Sequence, residues 1–170
     1  ITRAVDALRG AFGRLRRRKL PPNGDGWNFA DLAGKLRMVG ERDLAARLRT
    51  EYVSQGKWIP VEELLRGGFY AVDIKQKKDG RLNVHLHILA DCAWFPQAAL
   101  SSLWDDLMDA PVVDIRRVYG RGESDAESAV METIGYAAKP PEYRNVADEV
   151  AYHRALKGSK LLQPFGELHG

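Results

Sequence analysis

Phe69-Tyr70-Ala71-Val72-Asp73-Ile74-Lys75-Gln76-Lys77-Lys78-Asp79-Gly80-Arg81-Leu82-Asn83-Val84-His85-Leu86-His87-Ile88-Leu89-Ala90 is the stretch whose pairing decides the fold. Two alternating segments, Phe69–Lys77 and Arg81–Ala90, flank an Asp-Gly turn signal, which predicts a hairpin. Side chains alternate along a strand, so His85 and His87 leave the same face. The loop length then sets which residues oppose them. With Asp79 and Gly80 alone in the turn, Asp73 lies opposite Leu86 and points away from the histidines, and polar and apolar residues mix on both faces. With Lys78, Asp79 and Gly80 as a three-residue loop and Gly80 left-handed, Asp73 falls opposite His85. Tyr70, Val72 and Ile74 then fall opposite Ile88, Leu86 and Val84, and one face becomes wholly apolar. That register is the one predicted.

The same register gathers Asp73, His85 and His87 on the other face. Imidazole is the commonest protein metal ligand, and a carboxylate beside two imidazoles can hold a divalent ion with coordination positions left open. Taken alone, a His-x-His strand is more often a pair of satisfied or exposed histidines. A second feature follows in Ser124-Asp125-Ala126-Glu127, a capping-box pattern opening a helix over Ala126–Lys139 that Pro140-Pro141 stops. Its predicted buried stripe is Ala126, Val130, Ile134 and Ala137. Glu132, Tyr136 and Lys139 share a neighbouring flank. A tyrosine oxygen can act as a nucleophile, and a lysine three residues on can hold a phosphate or favour the phenolate. Amphipathic packing and service to the helix dipole are the plainer readings of these two residues.

Taken together, His85-Leu86-His87 followed by Tyr136-Ala137-Ala138-Lys139 resembles the HUH endonuclease superfamily, in the manner of plasmid-type rolling-circle replication initiator (Rep) proteins. The preceding Ala71-Val72-Asp73-Ile74 resembles the strand that carries the family's acidic ligand, with aspartate where glutamate is usual. Trp94–Met108, Val112–Ile115 and the closing run Lys157–Gly166 are also similar, so the likeness covers roughly Gly67–Gly166. It implies an α+β fold with a mainly antiparallel central sheet, HUH/RRM-like, helices packed on it, the metal site on the sheet and the catalytic tyrosine on an adjacent helix. A further family strand precedes the first helix, so the sheet is expected to lack that strand or to take it from residues outside Ile1–Gly170.

The resemblance implies that Asp73, His85 and His87 hold Mn²⁺ or Mg²⁺, and that Tyr136, assisted by Lys139, attacks a phosphate of single-stranded DNA. A 5′-phosphotyrosine and a 3′-hydroxyl result, and resealing needs no ATP, in keeping with the absence of a Gly-x-x-x-x-Gly-Lys-Ser/Thr loop. Position 140 is proline, so the chain reads as a single-tyrosine enzyme, with Tyr143 as a weaker second candidate. The implied partners are single-stranded DNA at an origin, in hairpin form, and a host helicase. The alternatives are an HUH transposase or relaxase with the same chemistry, a hydrolase in which water attacks, and a non-catalytic nucleic-acid-binding module.

The 170 residues, 45% of them hydrophobic, suit one domain able to bury a core, with a helical part over about residues 1–66 and a catalytic core over about 67–166. The one cysteine, Cys92, forbids an internal disulfide and fits a reducing cytoplasm. No apolar run approaches a membrane span, and no secretory signal follows Ile1. The net charge of +3 is uneven. Ile1–Leu20 holds seven Lys/Arg against one acid, leaving nineteen against twenty-two elsewhere. Arg14, Arg16, Arg17, Arg18 and Lys19 are candidate DNA-phosphate contacts, or equally the solvated side of a helix over Arg3–Lys19 whose core side is Val5, Leu8, Phe12 and Leu15. A turn is expected over Pro21–Gly26, then helices including Asp43–Val53 and Pro60–Arg66, the last ending at Gly67-Gly68. Trp27, Phe29 and Trp58 can stack on bases or pack. An amphipathic helix through Leu100, Leu103, Trp104 and Leu107 and a strand over Val112–Tyr119 complete a β-α-β unit before the Tyr136 helix.

Overall fold

A computed structural model describes residues 1–77, 79–110, 112–118, 123–139, 143 and 145–169. Helix α1 covers Thr2–Arg16, where Val5, Leu8, Phe12 and Leu15 form the buried stripe that their spacing predicts. The chain leaves the helix before Lys19, which lies instead in strand β1 (Lys19–Leu20), paired antiparallel with β4 (Ile59–Pro60). Strands β2 (Asn23–Gly24) and β3 (Trp27–Asn28) make a small hairpin that begins in the expected Pro21–Gly26 turn and runs two residues beyond it. Asn28 then caps α2 (Phe29–Met38), its side-chain oxygen accepting from the Asp31 N–H at 2.8 Å. Helix α3 (Arg42–Arg47) runs into a π-helical turn, Leu48–Val53, as the expected Asp43–Val53 helix requires.

Beyond it, α4 is one turn, Val61–Leu64, and strand β5 already begins at Leu65 and runs to Gln76. Gly67 and Gly68, expected to end a helix over Pro60–Arg66, are buried strand residues instead. Gly68 takes φ 152°, a backbone conformation that glycine adopts readily inside a strand. Strand β6 (Leu82–Cys92) returns beside β5, and β7 (Leu162–Gly166) flanks β5 on its other side, giving the order β6-β5-β7. The protein is thus mixed α and β with small antiparallel sheets.

Helices α5 (Gln97–Met108), α6 (Glu123–Ala138) and α7 (Val146–Leu156) complete the described elements. Helix α6 begins at Glu123, one residue before Ser124, where the capping-box pattern opens. Its stripe also differs from expectation: Thr133 is its buried residue, Val130, Ile134 and Ala137 are half-buried, and Ala126 is exposed. Thr133 tolerates burial because its hydroxyl donates to the Ala129 carbonyl at 2.8 Å. The proline pair expected to stop this helix lies outside the described residues. Val112–Val118 form no strand, contrary to the β-α-β expectation, and Tyr119 lies outside the described residues. Among the described residues no strand pairs with this segment, and its side chains stay open to water: Val112 is 91% exposed, and Ile115 and Val118 are exposed too.

The chain divides into two compact units. One comprises residues 1–10, 68–89 and 117–170, with Val5, Leu8, Tyr70, Val72, Ile74, Tyr152 and Phe165 buried. The other comprises residues 11–67 and 90–116, where Phe12, Leu15, Phe29, Leu32, Leu36, Leu48, Ile59 and Leu64 form the core. Within the second unit Phe29 is buried and Trp27 packs against it at 5.8 Å between ring centroids, while Trp58 stays exposed. Arg66 there bridges Asp91 and Glu41, with contacts of 2.7 and 2.9 Å. Beside that network Cys92 is largely withdrawn from water, and burial pushes its thiol up to about 12, an inert rather than reactive cysteine.

Candidate metal centre

The hairpin closes in the predicted register. The Lys77 N–H donates to the Arg81 carbonyl at 2.8 Å, the Gly80 N–H donates to the Lys77 carbonyl at 2.9 Å, and Gly80 is left-handed with φ 86°. Asp79 fastens the turn by accepting from the Arg81 N–H at 3.0 Å and pairing with its guanidinium at 2.7 Å. Pairing Lys77 with Arg81 puts Asp73 across from His85. The apolar face is less uniform than expected: Tyr70, Val72 and Ile74 on β5 are buried, whereas Val84 and Leu86 are half-buried and Ile88 is 41% exposed. Among the described strands β6 has a neighbour on one side only, which leaves its apolar side chains partly open.

On the other face Asp73, His85 and His87 meet, with one potential ligand atom from each within 4.8 Å of the others. Asp73 is 3% exposed. Its Oδ2 lies 2.7 Å from His85 Nε2, 3.3 Å from His87 Nε2 and 3.2 Å from Lys75 Nζ. Burial would push the Asp73 carboxyl up, yet hydrogen bonds from His85 and Lys75 outweigh it and hold the group below its usual range. The His87 imidazole shifts down, chiefly because burial disfavours its charged form. A neutral imidazole and an ionised carboxylate are the protonation states a metal ion needs.

The donor set fits a divalent ion. The observed separations of 2.7 and 3.3 Å bracket the ~3.0 Å between adjacent ligands of an octahedral ion with bonds of about 2.1 Å. One carboxylate and two imidazoles form a set compatible with Mn²⁺ or a neighbouring first-row ion. The half-exposed histidine side chains leave the remaining positions accessible.

Tyr136 enters from α6. Its ring lies flat on His87, with centroids 3.4 Å apart and planes 3° from parallel. Its hydroxyl donates to Glu132 Oε1 at 3.1 Å, one turn earlier on the same helix. That hydrogen bond, with a smaller contribution from burial, raises the phenol above its ordinary value. No protein-family model, curated protein or solved structure matches this chain.

The structure brings together Asp73, His85, His87 and Tyr136 as the sequence predicts. Lys139 directly follows α6, its N–H donating to the Gly135 carbonyl at 2.9 Å and its side chain exposed. The cation that touches the ligand carboxylate is Lys75, which sequence reading passed over although its two-residue spacing from Asp73 puts it on the same face. Glu132 shares the tyrosine's predicted flank, and its i, i+4 spacing is the sequence signal for the hydrogen bond it accepts from Tyr136. Tyr143 packs edge-on against Tyr152, with ring centroids 5.4 Å apart. Of the basic cluster, Arg14 and Arg16 end α1, Arg17 and Arg18 follow, and Lys19 sits in β1; all but the half-buried Arg16 are exposed. They belong to the second compact unit, whereas the centre belongs to the first.

Proposed function

We propose that this protein is a metal-dependent endonuclease and strand transferase of the HUH type, acting on single-stranded DNA through a phosphotyrosine intermediate and initiating rolling-circle replication. The observation that carries the reading is the phenol of Tyr136 laid against His87, one member of a two-histidine, one-carboxylate cluster. A structural tyrosine needs no metal-ligand set beneath it, and a metal site alone needs no tyrosine above it.

In this reading Asp73, His85 and His87 hold the ion. Bound there, a divalent cation supplies Lewis-acid polarisation of a phosphate oxygen. Stacking on His87 keeps the Tyr136 ring beside that position, which supplies orientation. Glu132 takes the phenolic proton as the tyrosine oxygen attacks phosphorus. The new tyrosine O–P bond replaces the P–O3′ bond; the DNA 5′-phosphate stays on the enzyme, and the departing O3′ takes a proton from water to become a free 3′-hydroxyl. Reversal by a 3′-hydroxyl reseals the strand with no external energy source. Arg14, Arg17, Arg18 and Lys19 supply salt-sensitive contacts to the DNA backbone.

The test is incubation of the protein and its Tyr136→Phe variant with Mn²⁺ and labelled single-stranded oligonucleotides, resolved by denaturing electrophoresis. An EDTA-sensitive protein–DNA adduct lost in the variant is expected. Cleavage without an adduct would replace tyrosine by water as the nucleophile, and metal-independent binding without cleavage would leave a nucleic-acid-binding module.

A further inference from the structure

The cluster contains one cation that neither the ligand set nor the nucleophile accounts for. Lys75 lies on β5 two residues from Asp73, and its ammonium stands 3.2 Å from Asp73 Oδ2, the same oxygen that both histidines approach. The carboxylate is buried, but the lysine side chain is 57% exposed. Its field reaches the Tyr136 phenol and the His87 imidazole as well. A single oxygen therefore receives two imidazoles and an ammonium, with Tyr136 next to them.

We propose that Lys75 is an exchangeable cation of this centre: it neutralises Asp73 while the site is empty, and gives up that oxygen to a divalent ion. The freed ammonium then engages a phosphate of the DNA strand. This rests on the nuclease reading above. The physical basis is competition for one anionic atom. An ammonium and a metal ion cannot both sit within contact distance of Asp73 Oδ2 without mutual repulsion. Lysine suits the exchange because it is a compact charge on a flexible four-carbon stem, with no fixed fork of donors to hold it to the carboxylate. Its exposure lets it swing without disturbing the core. Released on the face that carries Tyr136, it meets the backbone of a strand whose phosphate the tyrosine attacks. Metal loading thereby turns an internal ion pair into a DNA contact, which couples the two binding events in the order metal, then DNA.

Two measurements test this, neither of which requires turnover. Mn²⁺ affinity, by calorimetry, is compared among the wild type, Lys75→Gln, Lys75→Arg and the double variant His85→Ala/His87→Ala. Removing a partly exposed ammonium competitor should tighten Mn²⁺ binding by roughly two- to five-fold in Lys75→Gln, whereas Lys75→Arg, whose forked guanidinium holds the carboxylate more firmly, should bind no tighter than wild type. Binding of a labelled mixed-sequence single-stranded oligonucleotide is then followed against salt in a Tyr136→Phe background. With Mn²⁺ present, Lys75→Gln should lower the slope of log affinity against log salt by about 0.7, one phosphate contact on a single strand; with EDTA the slope should not change. Equal Mn²⁺ affinity in wild type and Lys75→Gln, or a slope loss that is the same with and without metal, overturns the inference while leaving the metal site standing. Wild-type protein that binds Mn²⁺ no better than His85→Ala/His87→Ala overturns both.

Discussion

The proposed centre gives His87 two roles, as a metal ligand and as the surface on which Tyr136 lies, and the two can be separated. His87→Phe keeps an aromatic ring under the tyrosine but removes both nitrogens; His87→Ala removes ring and nitrogens together. Each should weaken Mn²⁺ binding by ~10–100-fold or more, since even the partners that merely orient a ligand carry that much affinity. Their effects on metal-free stability should differ. Rings that lie face to face with centroids 3.4 Å apart gain less from their quadrupoles than offset or edge-to-face pairs, and so contribute toward the low end of the about 0.5–1.5 kcal/mol such pairs reach beyond the area they bury. Because the His87 side chain is 30% exposed, the lower half of that range is expected, a Tm change of about 2 °C. Urea unfolding in EDTA of wild type, His87→Ala, Tyr136→Ala and the double variant completes a cycle in which the Glu132 hydrogen bond cancels. A coupling of about 0.5–1 kcal/mol is expected. A coupling below about 0.3 kcal/mol, the scatter of independent sites, would mean that the tyrosine is not held on His87. The orientation argument for its chemistry would then fail.

Three further outcomes follow from the same geometry. Asp73 is held below its ordinary range in the folded state, so its contribution to stability is complete above the unfolded value of about 3.9 and disappears as pH falls through the folded one; acid titration of unfolding should show the stability difference between wild type and Asp73→Asn shrinking below about pH 4, and a difference that grows there would refute the sign. Glu132→Gln removes the carboxylate that raises the Tyr136 phenol, so the tyrosinate absorbance that Tyr136→Phe deletes should appear at lower pH in this variant, and an unchanged titration would show that Glu132 does not hold the proton. Gly80 is left-handed in the hairpin turn, so Gly80→Val should cost about 1–2 kcal/mol in urea unfolding, while Asp79→Asn, which keeps the turn, should cost well under that.

The register of the β5–β6 hairpin was legible because two constraints agreed: a Gly that can turn left-handed at position 80, and alternation that sorts Tyr70, Val72 and Ile74 from Asp73, His85 and His87. One shift would have broken both. The α1 stripe was legible for the same reason, since Val5, Leu8, Phe12 and Leu15 repeat at helical spacing. Where the signal was one-sided, expectation failed. Val112–Val118 has strand-forming residues, but strand formation needs a partner, and sequence does not announce partners. Gly67-Gly68 looked like a helix stop, although glycine is equally used inside a strand that approaches other backbone closely. Lys75 is legible only by its spacing from Asp73, and Glu132 by its place on the tyrosine's flank, but exposed lysines and glutamates are the usual surface of any strand or helix. Only distances, 3.2 Å to Asp73 and 3.1 Å to Tyr136, separate these two from that background.

The placement of Asp73 argues most strongly that the centre exists for function rather than for stability. It sits on the strand that has neighbours on both sides, at 3% exposure, between buried Val72 and Ile74. A carboxylate in such a position is costly unless it is paired, and three donors converge on one of its oxygens to pair it. Yet every one of those donors is itself partly open to water, so none of them needs Asp73 to satisfy its own polar atoms. An apolar β-branched residue at position 73 would fill the strand with less desolvation and leave the histidines and the lysine hydrated. Folding alone gives no reason to bury this charge under solvent-facing bases. The asymmetry suits the proposed site, whose fixed element would be the carboxylate and whose exposed elements would trade partners: imidazoles between carboxylate and metal, an ammonium between carboxylate and phosphate, and a phenol between Glu132 and a DNA strand.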